Sequence, residues 1–250
     1  MSKKTLFVKS FSKQETHTSD DLHKIKEMCK DIKNAPYSEE LQYNVNEWTC
    51  IKNTDANTDA NIDANIDASE IYIFTDGSSR KPKSKDMLAT YNSGIGVYLG
   101  YNCININEQY YNKTNNQCEL MALDYAFKLI VRYYRELMII GKVINIVSDS
   151  EYSIKACSVW LNQWKKNNWM TRSGEPVKNK ELIESIDSSM ARIKFINSNI
   201  NNSNKNNKII VKLLHVNSHQ NPDMQNQYKF NIWFGNYVAD ALAQNILLKK

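Results

Sequence analysis

Two short apolar runs, each ending on a carboxylate, constrain this chain most. Ile71-Tyr72-Ile73-Phe74 leads into Thr75-Asp76-Gly77, and Val143-Ile144-Asn145-Ile146-Val147 leads into Ser148-Asp149. Runs of this length and content read as buried strands. Carboxyl ends of strands in α/β sheets are where sites are built. Gly94 to Gly100 and Cys103 to Asn107 read as two further strands of a meander. Cys118 to Tyr134 places Leu120, Leu123, Phe127 and Ile130 at helical spacing. Helical stretches follow to about residue 193, then a strand at Ile209 to Leu214 and a helix from about Tyr237 to Leu248. The order βββαβ, helices, β, α predicts an α/β sheet with an antiparallel edge.

The remainder divides by composition. Residues 53–68 read Asn-Thr-Asp-Ala twice and Asn-Ile-Asp-Ala twice, a polar repeat expected to be a solvated linker. Residues 1–52 precede it, with one amphipathic stripe at Leu22, Ile25, Met28, Cys29 and Ile32, and no function assigned. Residues 69–250 form the expected folded domain. Residues 1–68 carry 9 Lys against 12 acids, net −3, and the rest carries 23 Lys plus Arg against 15 acids, net +8. The positive charge sits on the expected domain, where it favours a phosphate-rich partner; the bland alternative is a solvated surface.

No apolar run reaches the roughly 18–20 residues of a membrane-spanning helix, so no membrane partner is expected. The N-terminus has no long apolar stretch, which argues against a secretory signal. Five dispersed cysteines without a Cys-x-x-Cys pair argue against a disulfide framework and a zinc site. An intracellular setting, cytoplasmic or nuclear, is expected. The basic but Arg-free first fourteen residues keep a mitochondrial transit peptide as a second reading.

Asp76 and Asp149 end strands, Glu119 lies near a helix start, and Asp240 is expected in the first turn of the last helix. Singly, each is more often structural than catalytic. As a set they suggest an all-oxygen site, suited to Mg²⁺ or Mn²⁺ rather than zinc.

Thr75-Asp76-Gly77-Ser78-Ser79, Gly94-Ile95-Gly96-Val97-Tyr98, Thr114-Asn115-Asn116-Gln117-Cys118-Glu119-Leu120, Val147-Ser148-Asp149-Ser150, His215-Val216-Asn217-Ser218-His219 and Gly235-Asn236-Tyr237-Val238-Ala239-Asp240 stand in that order. Together they resemble the successive motifs of type 1 ribonuclease H. The resemblance implies a mixed five-stranded sheet, three antiparallel strands then two parallel, flanked by helices. It implies an endonuclease that hydrolyses the RNA strand of RNA–DNA hybrids without sequence preference. Two Mg²⁺ ions would serve it, with Mn²⁺ as an alternative and no small-molecule cofactor. Asp76 would bridge both ions, Asp240 would complete one site, and Glu119 and Asp149 would hold the other ion. His219 would assist proton transfer or product release. Products would carry a 5′-phosphate and a 3′-hydroxyl, and the enzyme would work as a monomer.

Trp160 to Arg172, followed by Pro176 to Lys180, resembles the family's basic protrusion. Three tryptophans at near-helical spacing are commonly core. Their interleaving with Lys165, Lys166 and Arg172 points instead to a nucleic-acid surface. By resemblance, Trp160 and Trp164 would line the DNA channel, Thr114 and Asn179 would hold a DNA phosphate, and Ser78, Asn115 and Asn116 would meet the minor groove. Departures are a basic loop from Arg80 to Lys85, Gln117 in place of an Arg, and Asn112 and Lys113 where an Arg is frequent. There is also an aromatic insert from Tyr228 to Phe234, and a polar insert from Asn197 to Asn207 expected to be disordered. Two alternatives stand beside the main reading: a catalytically silent hybrid-binding domain, and a DNA nuclease of the same superfamily.

Overall fold

The computed structural model describes residues 70–80, 92–100, 105–134, 139–200, 208–218, 223 and 226–244. The expected N-terminal segment and repeat linker, residues 81–85 of the expected basic loop, residues 201–207 of the expected polar insert and His219 lie outside them.

Five strands form one sheet: β1 (Glu70–Ser79), β2 (Ser93–Tyr98), β3 (Ile106–Tyr110), β4 (Val143–Ser148) and β5 (Ile210–His215), in the spatial order β3-β2-β1-β4-β5. The pairs β1·β2 and β2·β3 are antiparallel, and β1·β4 and β4·β5 are parallel. The expected three-plus-two sheet is therefore present. The third strand lies three residues later than its apolar signal. Pairing of Val97 with Ile106 and Gly96 with Asn107 sets its place, and its polar residues are tolerated at a sheet edge.

Helices cover both faces. They are α1 (Asn115–Tyr133), α2 (Glu151–Lys155), a π-helical turn (Ala156–Trp160), α3 (Leu161–Lys166), α4 (Lys180–Asn199) and α5 (Gln227–Ala243). Strand alternation assigns the faces. Ile71 and Ile73 of β1 pack with Ile144 and Ile146 of β4 beneath α1 and α4, against Leu123, Phe127 and Ile186. Tyr72 and Phe74 point the other way and meet Phe230, Phe234 and Val238 of α5. Each fully buried Ile, Leu or Phe contributes roughly 1.5–3 kcal/mol. No helix among the described residues is long and apolar enough to cross a membrane.

Helix boundaries also differ from the sequence expectation: α1 starts at Asn115, three residues before its apolar signal. The polar insert at Asn197 begins inside α4, where Asn197 donates to the Ile209 carbonyl and accepts from its N–H, both at 2.8 Å. The last helix starts at Gln227, capped by Asn226, whose side chain accepts from the Lys229 N–H at 2.9 Å. The aromatic insert is thus the first half of α5. It covers the sheet, with Tyr228 against the Tyr72 ring and Phe234 against that of Tyr98.

Candidate active site

Parallel register brings the first two acids together. Phe74 stands beside Val147 and Thr75 beside Ser148, so Asp76 and Asp149 follow side by side at the strand ends. Alternation turns Asp76 to the α5 face, with Tyr72 and Phe74. Glu119 comes from α1, whose start is fixed by a reciprocal cap. Thr114 Oγ1 accepts from the Gln117 N–H, and Gln117 Oε1 accepts from the Thr114 N–H at 2.9 Å. Gln117, noted as a departure, therefore completes a capping box. Carboxylate oxygens of Asp76, Glu119 and Asp149 lie within 4.8 Å of one another. Asp240 hydrogen-bonds to Asp76 and adds its charge there.

The expected position of Asp240 in its helix is corrected. It lies in the last turn of α5, not the first. An acid there opposes the helix dipole, so the helix end does not favour its charge. Gln244, one turn on, donates to Asp240 Oδ1 at 2.5 Å.

Burial raises the Asp76 carboxyl well above its ordinary range, and the charges of Glu119, Asp149 and Asp240 push it further. Burial and the charge of Asp149 push Glu119 up to about 8, against the pull of hydrogen bonds from Asp76 and the Gly77 amide. Among the described residues Asp76 receives the Gly77 N–H at 2.8 Å, and Glu119 Oε1 receives the Asn115 amide at 3.4 Å. Glu119 Oε2 is buried with no hydrogen-bond partner. A buried oxygen without a donor, amid three other acids, has the donor chemistry of a hard divalent cation. The residues present therefore fit such an ion.

The expected nucleic-acid residues fall into two groups. Ser78 is half-exposed at the end of β1, and Thr114, Asn115 and Asn116 are exposed at the start of α1. Ser79 and Ser93 hydroxyls both reach the Lys113 carbonyl, at 2.6 and 3.2 Å, tying the strand ends to that helix start. The second group is built around Tyr152. Its ring lies 6.2 Å from that of Trp160, which lies 5.5 Å from Trp164, and its hydroxyl accepts from the Asn179 amide at 3.4 Å. Trp160 and Trp164 are half-buried, packed against the core. Lys166 and Arg172 are exposed. Lys165 is held by Asp187 at 2.6 Å.

Sequence reasoning missed two residues here. Tyr152, three positions after Asp149, joins α2 to Asn179. Asn236 on α5 donates to Asp149 Oδ2 at 3.5 Å, and its own oxygen is buried without a partner. Its spacing of one helical turn before Asp240 was the available signal.

The family model described as RNase H matches residues 68–209. A Ribonuclease H of Clostridium botulinum (strain Hall) is 35% identical over 147 residues, 58% of this chain and 92% of that protein. Ribonuclease HI of Haemophilus influenzae is 35% identical over 128 residues, 50% of this chain and 73% of that protein. The solution structure of the PFV RNase H domain aligns at a TM-score of 0.48 and 22% identity, covering 70% of this chain and 92% of that one. The family match stops before β5 and α5 and so does not reach Asp240, which the fold brings to Asp76. The chain belongs to the RNase H family and is a hydrolase, an endoribonuclease.

Proposed function

We propose that residues 69–250 form a catalytic domain that hydrolyses the RNA strand of RNA–DNA hybrids, using two divalent cations, Mg²⁺ or Mn²⁺. Residues 1–52 and the 53–68 repeat stand outside that domain. The observation that carries the reading is the unpartnered Glu119 Oε2, buried among Asp76, Asp149 and Asp240. Asp76 would hold both ions, with Asp240 completing one site and Glu119 and Asp149 the other. A pair of such ions supplies a water of lowered pKa and stabilises the attacking and leaving oxygens of an in-line displacement.

The chain's own residues do the rest. The strand ends fix Asp76 and Asp149, and α1 fixes Glu119, so the cluster is set before substrate arrives. The attacking water gives up a proton as its oxygen bonds to phosphorus, the phosphorus–O3′ bond breaks, and O3′ takes up a proton. The products carry a 5′-phosphate and a 3′-hydroxyl. His219 assists the proton transfer or product release. Trp160, Trp164, Lys165, Lys166, Arg172 and Asn179 bind the DNA strand, with Thr114 on one of its phosphates. Ser78, Asn115 and Asn116 read the minor groove, where the 2′-hydroxyl distinguishes RNA from DNA. The domain acts as a monomer.

The test is incubation with Mg²⁺ and labelled hybrid, RNA duplex and DNA duplex. Loss of the RNA strand in the hybrid alone is expected. Binding without cleavage, or cutting of DNA, would overturn the reading.

A further inference from the structure

We propose that Gln244 is a positioning residue for Asp240 and that Arg80 fixes Gln244 in that role, an inference that rests on Asp240 being a metal ligand as read above. Gln244 caps α5, its N–H donating to the Asp240 carbonyl at 2.9 Å. Its side chain turns back along the helix, and Nε2 donates to Asp240 Oδ1 at 2.5 Å. At the other end of the amide, Oε1 accepts from Arg80 Nη2 at 2.8 Å. The two partners are unlike. A carboxylate only accepts and a guanidinium only donates. One orientation of the amide satisfies both, and the flipped orientation satisfies neither.

Arg80 is itself placed by the fold. It is the first residue past β1, four after Asp76, and its N–H donates to the Asn92 carbonyl at 2.7 Å, adding a rung beyond β1 and β2. The network therefore ties the end of β1 to the end of α5, the elements that carry Asp76 and Asp240.

The chemistry favours an interposed amide over a direct ion pair. An arginine bound to Asp240 would neutralise the carboxylate and compete with a cation. Gln244 is neutral, so it transmits orientation and leaves the charge of Asp240 available. With Oδ1 held, the carboxylate cannot rotate freely as it faces Asp76. Hydrogen-bond partners of ligating carboxylates govern metal affinity or activity by about 10–100-fold.

The competing reading is an exposed hydrogen bond that merely closes the helix. The test compares wild type, Gln244→Ala, Gln244→Glu, Arg80→Ala and Asp240→Asn in full-length protein. Two midpoints are read against Mg²⁺ concentration: the rise in melting temperature and the rate of hybrid cleavage. Gln244→Ala should raise both midpoints about tenfold, with the melting temperature in chelator and the KM for hybrid unchanged. Gln244→Glu keeps an acceptor for Arg80 but cannot donate to Asp240, and should lose at least as much. Arg80→Ala should shift the midpoints the same way by less. A Gln244→Ala midpoint within about twofold of wild type, or a fall in melting temperature in chelator without a midpoint shift, would overturn the proposal. Asp240→Asn separates the two levels. If it leaves the Mg²⁺ midpoint unchanged, the metal reading fails and this proposal with it. If it shifts the midpoint while Gln244→Ala does not, only Gln244 loses its role.

Discussion

Gly77 and Glu119 are packed backbone against backbone: a Cβ on Gly77 would stand 2.1 Å from the Glu119 amide nitrogen and 2.4 Å from the Cys118 carbonyl carbon. No side-chain rotation relieves a clash with backbone, so α1 would have to move off β1. That contact is what brings Glu119 to Asp76, and it gives the glycine after the first aspartate a steric reason.

Gly77→Ala should therefore act on stability and site together. Overpacking of this kind costs about 1–3 kcal/mol, readable as a lower denaturant midpoint. The Mg²⁺-induced rise in melting temperature should shrink as well. A variant of unchanged stability with full cleavage would show that α1 can shift without cost.

The raised carboxyl of Glu119 gives a pH prediction for metal-free protein. Its folded pKa of about 8 lies above the ordinary 4.5. The fold therefore binds this proton more tightly than the unfolded chain does. The contribution is fully present below pH 4.5 and is lost as pH rises through about 8. In chelator, wild type should lose stability over that window relative to Glu119→Gln, by on the order of a few kcal/mol. At pH 8 Glu119→Gln should be the more stable protein, and Mg²⁺ should stabilise wild type far more than the variant. Parallel melting-temperature curves against pH would contradict this.

Much of this site was legible in the sequence, for identifiable reasons. Asp76 and Asp149 follow apolar runs whose strand character is local, and their adjacency needs only parallel register. Glu119 could be placed because α1 carries apolar residues at helical spacing from Cys118 on, while its true start at Asn115, set by the Thr114 cap, lies three residues before that signal. The start of α5 was not legible. Its first half is crowded with aromatics and interrupted by Gly235, a poor helix former. Gly235 is there for tertiary reasons, since a Cβ would stand 2.3 Å from the Phe74 ring. That misplacement put Asp240 at the wrong end of its helix. The contacts of Asp149 with Asn236 and of Lys165 with Asp187 span 87 and 22 residues, so no local pattern reveals those pairings.

The Lys165–Asp187 pair has a consequence for substrate binding. Its partners are 46% and 29% exposed in their side chains, and such pairs are worth about 0.2–1 kcal/mol. Asp187→Asn frees the ammonium for a phosphate. Hybrid binding measured by fluorescence anisotropy should tighten about two- to fivefold at low salt, with a steeper salt dependence. Unchanged or weaker binding would place Lys165 outside the hybrid interface.

Trp164 packs half-buried beside Trp160, so its truncation should be read by kinetics as well as by melting. Contact with an aromatic is worth about 1–3 kcal/mol per base. Trp164→Ala should raise KM about tenfold or more with a smaller change in kcat. A fall in kcat at unchanged KM would make Trp164 a core residue only.

The central claim is that the clustered carboxylates hold the metal that cleaves RNA. Its most direct test is the rate of RNA-strand cleavage in Mg²⁺ by Asp149→Asn, at enzyme concentrations that saturate the hybrid. Loss of several kcal/mol of transition-state stabilisation predicts a fall of about a thousandfold or more, with hybrid affinity retained. Cleavage at the wild-type rate would contradict the account.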